Sequence, residues 1–101
     1  MRSRLELHEI LVEKLGSRNV YFQPPESVKL SYPCIIYERN VGRDFRANDK
    51  LYNYHKSYTL TVMDKNPDST IPDTLLYLPM CSFDRFYASD NINHWTFTIY
   101  Y

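Results

Sequence analysis

The alternation in residues 50–64, KLYNYHKSYTLTVMD, does most to limit what this chain can fold into. Tyr52, Tyr54, Lys56, Tyr58, Leu60 and Val62 fall on one side of a period of two, and Asn53, His55, Ser57, Thr59 and Thr61 on the other. That is the pattern of a strand with one face on a core and one facing water or a partner. Tyr, Thr and Val suit such a pleated, half-buried surface. Strands commonly run to about five or six residues. A longer alternation predicts a central, twisted strand that reaches beyond the body of the domain at its N-terminal end.

The flanking segments read as neighbours and cover for this strand. Residues 3–16 form an amphipathic helix. Ser3 and Glu6 have capping-box spacing, Gly16 is a helix stop, and Leu7, Ile10, Leu11 and Leu15 make one apolar stripe. Val20-Tyr21-Phe22 is a short strand ended by Pro24-Pro25, which places it at a sheet edge or at a point where the chain leaves the sheet. The apolar run in Cys34-Ile35-Ile36-Tyr37-Glu38-Arg39 predicts a strand buried on both faces. After a turn at 64–70, Asp68 or Ser69 caps a short helix whose apolar side holds Ile71, Leu75, Leu76 and Leu78. The last 22 residues form a hairpin. Cys81, Phe83, Arg85 and Tyr87 alternate with Ser82, Asp84, Phe86 and Ala88 on its first strand. Ser89-Asp90-Asn91 turns, and Trp95, Phe97, Ile99 and Tyr101 share one face of its second strand, opposite His94, Thr96, Thr98 and Tyr100. The order α-β-β-β-α-β-β predicts a single α+β domain over residues 1–101. Two helices cover one face of a mainly antiparallel sheet of about four to five strands.

Residues 40–49, NVGRDFRAND, join two strands and predict a long β-hairpin with an extended tip. Two readings stay open: a solvated loop without a role, or a projecting arm that docks on another chain. Phe45 between Arg43 and Arg46 favours the arm, because aromatic and Arg residues are enriched at interfaces.

The search for chemistry yields little. Twelve basic and twelve acidic residues give zero formal net charge, so no global field draws the chain to nucleic acid or to an anionic membrane. Two cysteines, Cys34 and Cys81, sit in apolar strand contexts and read as buried free thiols. No secretory signal and no apolar run of about 20 residues is present, which leads us to expect a soluble chain made in the cytosol. His8, His55 and His94 lack ligand spacing, and no nucleophile elbow, phosphate loop or zincin motif occurs. Asp84 beside Arg85 and Asp64 beside Lys65 read as exposed ion pairs. Asp90, Asn91 and Asn93 read as turn residues rather than as a metal loop. Aromatics interleaved with bases at 54–58 could stack on a nucleic acid. Those tyrosines share the core face, however, and no basic stripe accompanies them. No catalytic, cofactor-binding or metal residue is assigned.

The segments PPESVKLSYPCIIYERN, YTLTVMDKNPDSTIPDTLLYLP and CSFDRFYASDNINHWTFTIYY, which span most of the chain, resemble small structural proteins of tailed bacteriophages and prophages. The resemblance is to the tail terminator, or tail-completion, proteins of long-tailed phages; PPESVK, YPCI and PDSTIPD carry its most specific parts. It implies an α+β fold and a homo-oligomeric ring, usually a hexamer, that caps the head-proximal end of the tail tube. Such a ring stops tube polymerisation and joins the tail to the head connector or stopper protein. The implied partners are further copies of the chain, the tail tube protein and the head connector. DNA passes through the channel without specific binding, and no membrane is involved. The implied location is the virion neck, with the host cytoplasm during assembly. The family has no catalytic residues to carry over. This chain is short for the group, so a connector or stopper at another level of the neck stays open as an alternative, with a small nucleic-acid-binding module behind it.

A cyclic ring needs one surface of each copy to meet a different surface of the next. The arm at 40–51 and the start of the long strand suit such a contact. Arg43, Asp44, Phe45, Arg46, Asp49, Lys50 and Tyr52 are the interface residues that this reading names.

Overall fold

The computed structural model describes residues 3–40 and 56–101. The helix α1 (Arg4–Leu15) is followed by strands β1 (Val20–Phe22), β2 (Cys34–Arg39) and β3 (Ser57–Asp64), helix α2 (Ile71–Leu75), and strands β4 (Cys81–Ser89) and β5 (Ile92–Tyr100). The five strands form one sheet in the order β1-β2-β3-β5-β4. β1 runs parallel to β2, and the other three pairings are antiparallel. The α+β class and the element order are those expected from the sequence.

Each end of α1 is set by one residue. The Ser3 hydroxyl accepts from the Glu6 amide at 3.2 Å, satisfying one of the donors that a helix start leaves unpaired. At the other end Gly16 takes φ 84°, a left-handed conformation open to glycine at no steric cost, and its N–H donates to the Val12 carbonyl. Between them Leu7 and Leu11 are wholly buried, whereas Leu5 is 65% exposed. α1 therefore lays one stripe on the sheet.

β3 occupies the middle of the sheet, and its alternation holds from Tyr58 onward: Tyr58, Leu60 and Val62 are buried and Thr59 and Thr61 half-buried, whereas Ser57, expected on the open face, is buried as well. Tyr58, Leu60 and Val62 lie opposite Arg39, Tyr37 and Ile35 on β2 and opposite Ile99, Phe97 and Trp95 on β5. Residues directly opposite share a face, so Ile35, Tyr37, Phe97 and Ile99 join them beneath the helices. Leu7 and Leu11 of α1 and Leu75 of α2 close this core. The part of the long alternation before Lys56, with the expected projecting hairpin, lies outside the described residues.

Four local expectations need correction. β2 is buried on both faces only at its start, Cys34 and Ile35; by Glu38 the face away from the helices is in solvent. The α2 N-cap is Thr70, without a side-chain cap, and the Ser69 hydroxyl accepts from the Ile71 amide instead. Leu76, placed on its apolar side, is 50% exposed, because the helix stops after Leu75 and the chain turns away.

The fourth correction concerns β4. Cys81 and Phe83 lie opposite Ile99 and Phe97, but the register shifts between Phe83 and Arg85. From there Arg85, Phe86 and Tyr87 face Thr96, Trp95 and His94. The extra residue is a β-bulge, which breaks the period of two. Phe86 therefore returns to the helix side with Phe83, and Arg85 and Tyr87 go to the other face. The Asp90–Asn91 turn has φ 54° and 64°, the positive pair that a two-residue hairpin of matching twist requires.

Leu60 is fully buried at the centre of this arrangement. Leu60→Ala should cost about 3 kcal/mol by deletion and cavity formation, while Leu5→Ala should stay within about 0.5 kcal/mol. Chemical denaturation followed by circular dichroism measures both.

Candidate functional site

The described residues offer three polar or aromatic constellations and one open strand edge. The first lies under α1. Tyr37 is wholly buried, and its hydroxyl lies 2.8 Å from His8 Nδ1 and 3.1 Å from Arg4 Nη1. Arg4 can only donate, so the phenol accepts from it, and His8 Nδ1 is the second hydrogen-bond partner of the same hydroxyl. Arg4 also lies over the Phe22 ring at 4.3 Å. Burial pushes the pKa of the Tyr37 phenol up, and the Arg4 hydrogen bond and charge act against that rise. The phenol thus stays protonated and fastens the helix to the sheet. Its burial keeps it from any substrate.

The second constellation stands where residues 41–55 leave and rejoin the sheet. The Asn40 amide donates to the Ser57 carbonyl at 2.8 Å, and its side-chain amide donates to the buried Ser57 hydroxyl at 2.8 Å. Thr59 Oγ1 donates to Asn40 Oδ1 at 2.7 Å. Lys56 and Tyr101 exchange both backbone hydrogen bonds, at 3.0 and 2.8 Å. Both roots of the segment are therefore pinned at one end of the sheet. Arg43, Asp44, Phe45, Arg46, Asp49, Lys50 and Tyr52, the interface residues read from the sequence, all lie outside the described residues. So does His55.

The third is on the sheet face that the helices leave uncovered. Arg85 sits over Tyr87 at 4.7 Å, and Tyr87 stacks on His94 with centroids 4.5 Å apart and planes 11° from parallel. Thr59 faces Thr98, and Thr61 faces Thr96, across the same surface. The acid–base neighbours of the sequence do not pair here. Asp84 accepts from Thr98 Oγ1 at 2.6 Å, while Arg85 turns to Tyr87. Asp64 accepts from the Asn66 amide at 3.0 Å, an Asx turn. Asn93, read as a turn residue, ties the hairpin back through its side-chain amide to the Asp64 carbonyl at 3.2 Å. Among the described residues, no group of three His, Cys, Asp or Glu side chains could hold a metal ion. No described helix is long and apolar enough to cross a membrane.

The two sheet edges differ. β1 has three residues and runs into Pro24 and Pro25, devices that blunt an edge. β4 has nine residues, nearly all exposed, and on its helix side Phe83 and Phe86 are 46% and 49% exposed. Each ring touches an inner aromatic, Phe97 and Trp95 respectively, so the outer half of each is what remains open. Tyr77 and Leu76, just ahead of β4, are exposed too. Sequence reading missed this edge because strict alternation separates Phe83 from Phe86. Comparison with family models, curated proteins and solved structures finds no match.

Burial pushes the Cys34 and Cys81 thiols up to about 11, with Asp64 and Asp84 adding to the rise. Both should react slowly with a disulfide reagent at pH 8 in the folded protein and at the ordinary rate after unfolding. In the unfolded chain they ionise near 9, so their contribution to stability is complete below that pH and is lost as pH rises from about 9 to 11. Tyr37→Phe should cost about 1–3 kcal/mol, because it leaves Arg4 and His8 Nδ1 without their shared partner; thermal melting of the two proteins gives the difference.

Proposed function

We propose that this chain is a structural protein of the neck of a tailed bacteriophage. In this reading it forms a ring, a hexamer in the virion, that caps the head-proximal end of the tail tube, ends tube growth and joins the tail to the head connector. Support comes from the sequence resemblance together with an α+β domain of the expected element order. The observation that carries most weight is the pinning of both roots of residues 41–55 at one end of the sheet by Asn40, Ser57, Thr59 and Tyr101. A segment of 15 residues held at a fixed base can present Arg43, Asp44, Phe45, Arg46, Asp49, Lys50 and Tyr52 to a neighbouring copy or to the tube. The contacts of a closed ring are heterologous, and an arm that meets a different surface of the next copy meets that requirement.

A connector or stopper at another level of the neck uses the same physics and differs in its neighbours. Zero formal net charge suits a channel through which DNA must slide, since tight phosphate contacts would hold it.

Deletion of residues 42–48 should leave a folded domain that forms no rings and caps no tails. Negative-stain microscopy of the variant with purified tail tubes reads the outcome. Rings of normal size and tails of normal length would overturn the assignment of the arm.

A further inference from the structure

β4 carries a sequence that is complementary to itself. Its centre reads Phe83-Asp84-Arg85-Phe86: aromatic, acid, base, aromatic. The bulge gives these four residues an unusual distribution between the two faces. Phe83 and Phe86 lie opposite Phe97 and Trp95, on the helix side. Asp84 bonds Thr98, and Arg85 lies opposite Thr96 and over Tyr87, all on the uncovered face. In an unbroken strand two residues three apart point to opposite faces. Here the bulge puts them on the same one.

We infer that β4 pairs antiparallel with β4 of a second copy, about a two-fold axis between Asp84 and Arg85. This register sets Phe83 opposite Phe86 of the second copy and Asp84 opposite its Arg85, and the symmetry repeats both pairs. Every residue then meets one on its own face, as an antiparallel ladder requires. A register displaced by one residue sets Asp84 or Arg85 opposite its own counterpart, so like charges meet. Charged residues on an edge ordinarily discourage pairing. Alternation of sign about the axis makes these two charges select one register instead.

The second copy is favoured over an unrelated partner by this charge complementarity and by zero formal net charge, which leaves little repulsion between copies. The pairing would cover the half-exposed rings of Phe83 and Phe86 and supply ladder partners to the outer side of a nine-residue strand. A two-fold contact is isologous and joins copies in pairs, so it does not close a ring. The inference stands on β4 alone and does not depend on the proposed function.

Light scattering on the purified full chain tests it. The wild type should have twice the chain mass at high micromolar concentration. Asp84→Arg and Arg85→Asp should each bring like charges together at two places and halve that mass. An equimolar mixture of the two variants should regain the doubled mass, because every acid again meets a base. The double variant Asp84→Arg/Arg85→Asp should regain it alone. Phe86→Ala, at a half-exposed position, keeps the backbone edge and should raise the dissociation constant roughly tenfold, since the axis removes two aromatic contacts at once. Circular dichroism checks that each variant is folded; if a reversal unfolds, Phe86→Ala decides. A wild type of single mass, reversals that keep the doubled mass, a mixture that stays at single mass, or a Phe86→Ala constant equal to that of the wild type overturns the inference.

Discussion

Everything in this domain depends on how β3 is held. Its face of Tyr58, Leu60 and Val62 is gripped from one side by Ile35 and Tyr37 and from the other by Phe97 and Ile99. Leu7, Leu11 and Leu75 press down from the helices. Non-directional burial of apolar area supplies the driving force. Direction comes from the ladders on both sides of β3 and from the Arg4–Tyr37–His8 hydrogen bonds that set α1 on the sheet. A strand bonded on both edges and covered on one face has little freedom left, so it fixes the frame in which the outer strands find their places.

The outer strands do not close that frame equally. β1 is short and is stopped by prolines, so the sheet ends there. β4 is three times as long, and its Phe83 and Phe86 stay half-exposed. Its bulge re-aims Phe86 onto the side of Phe83 and lets Asp84 and Arg85 stand together on the other face. An edge of this kind is incomplete as a surface, and Asn40, Lys56, Ser57 and Tyr101 fix the two points between which residues 41–55 run. Contact between chains is the role we propose for both features: the segment at 41–55 for the ring in a phage neck, and the β4 edge for a two-fold pair that does not close a ring.

Much of the frame was legible in the sequence. Ser3 and Gly16 mark α1 through local chemistry that needs no tertiary knowledge. The alternation at 58–63 identifies the core face of β3, because burial on one side of a strand imposes a period of two, whereas on β5 His94 and Thr98 are buried on the face opposite Phe97 and Ile99. The bulge at Asp84 was not legible, since a count of alternating residues has no place for an extra one. Strand order was not legible either, and it alone makes β4 an edge. Two phenylalanines three apart about an acid–base pair were the available signal. The candidate site named from the sequence, Arg43 to Tyr52, falls outside the described residues and stands as a proposal on its composition and on the pinned residues that flank it.

Hydrogen exchange across a dilution series tests most directly the claim that this domain completes itself through its open edge. The amides on the outer side of β4 should exchange more slowly as protein concentration rises, while those of β1 and β3 keep their rates. Exchange in β4 that is fast and independent of concentration would contradict the account.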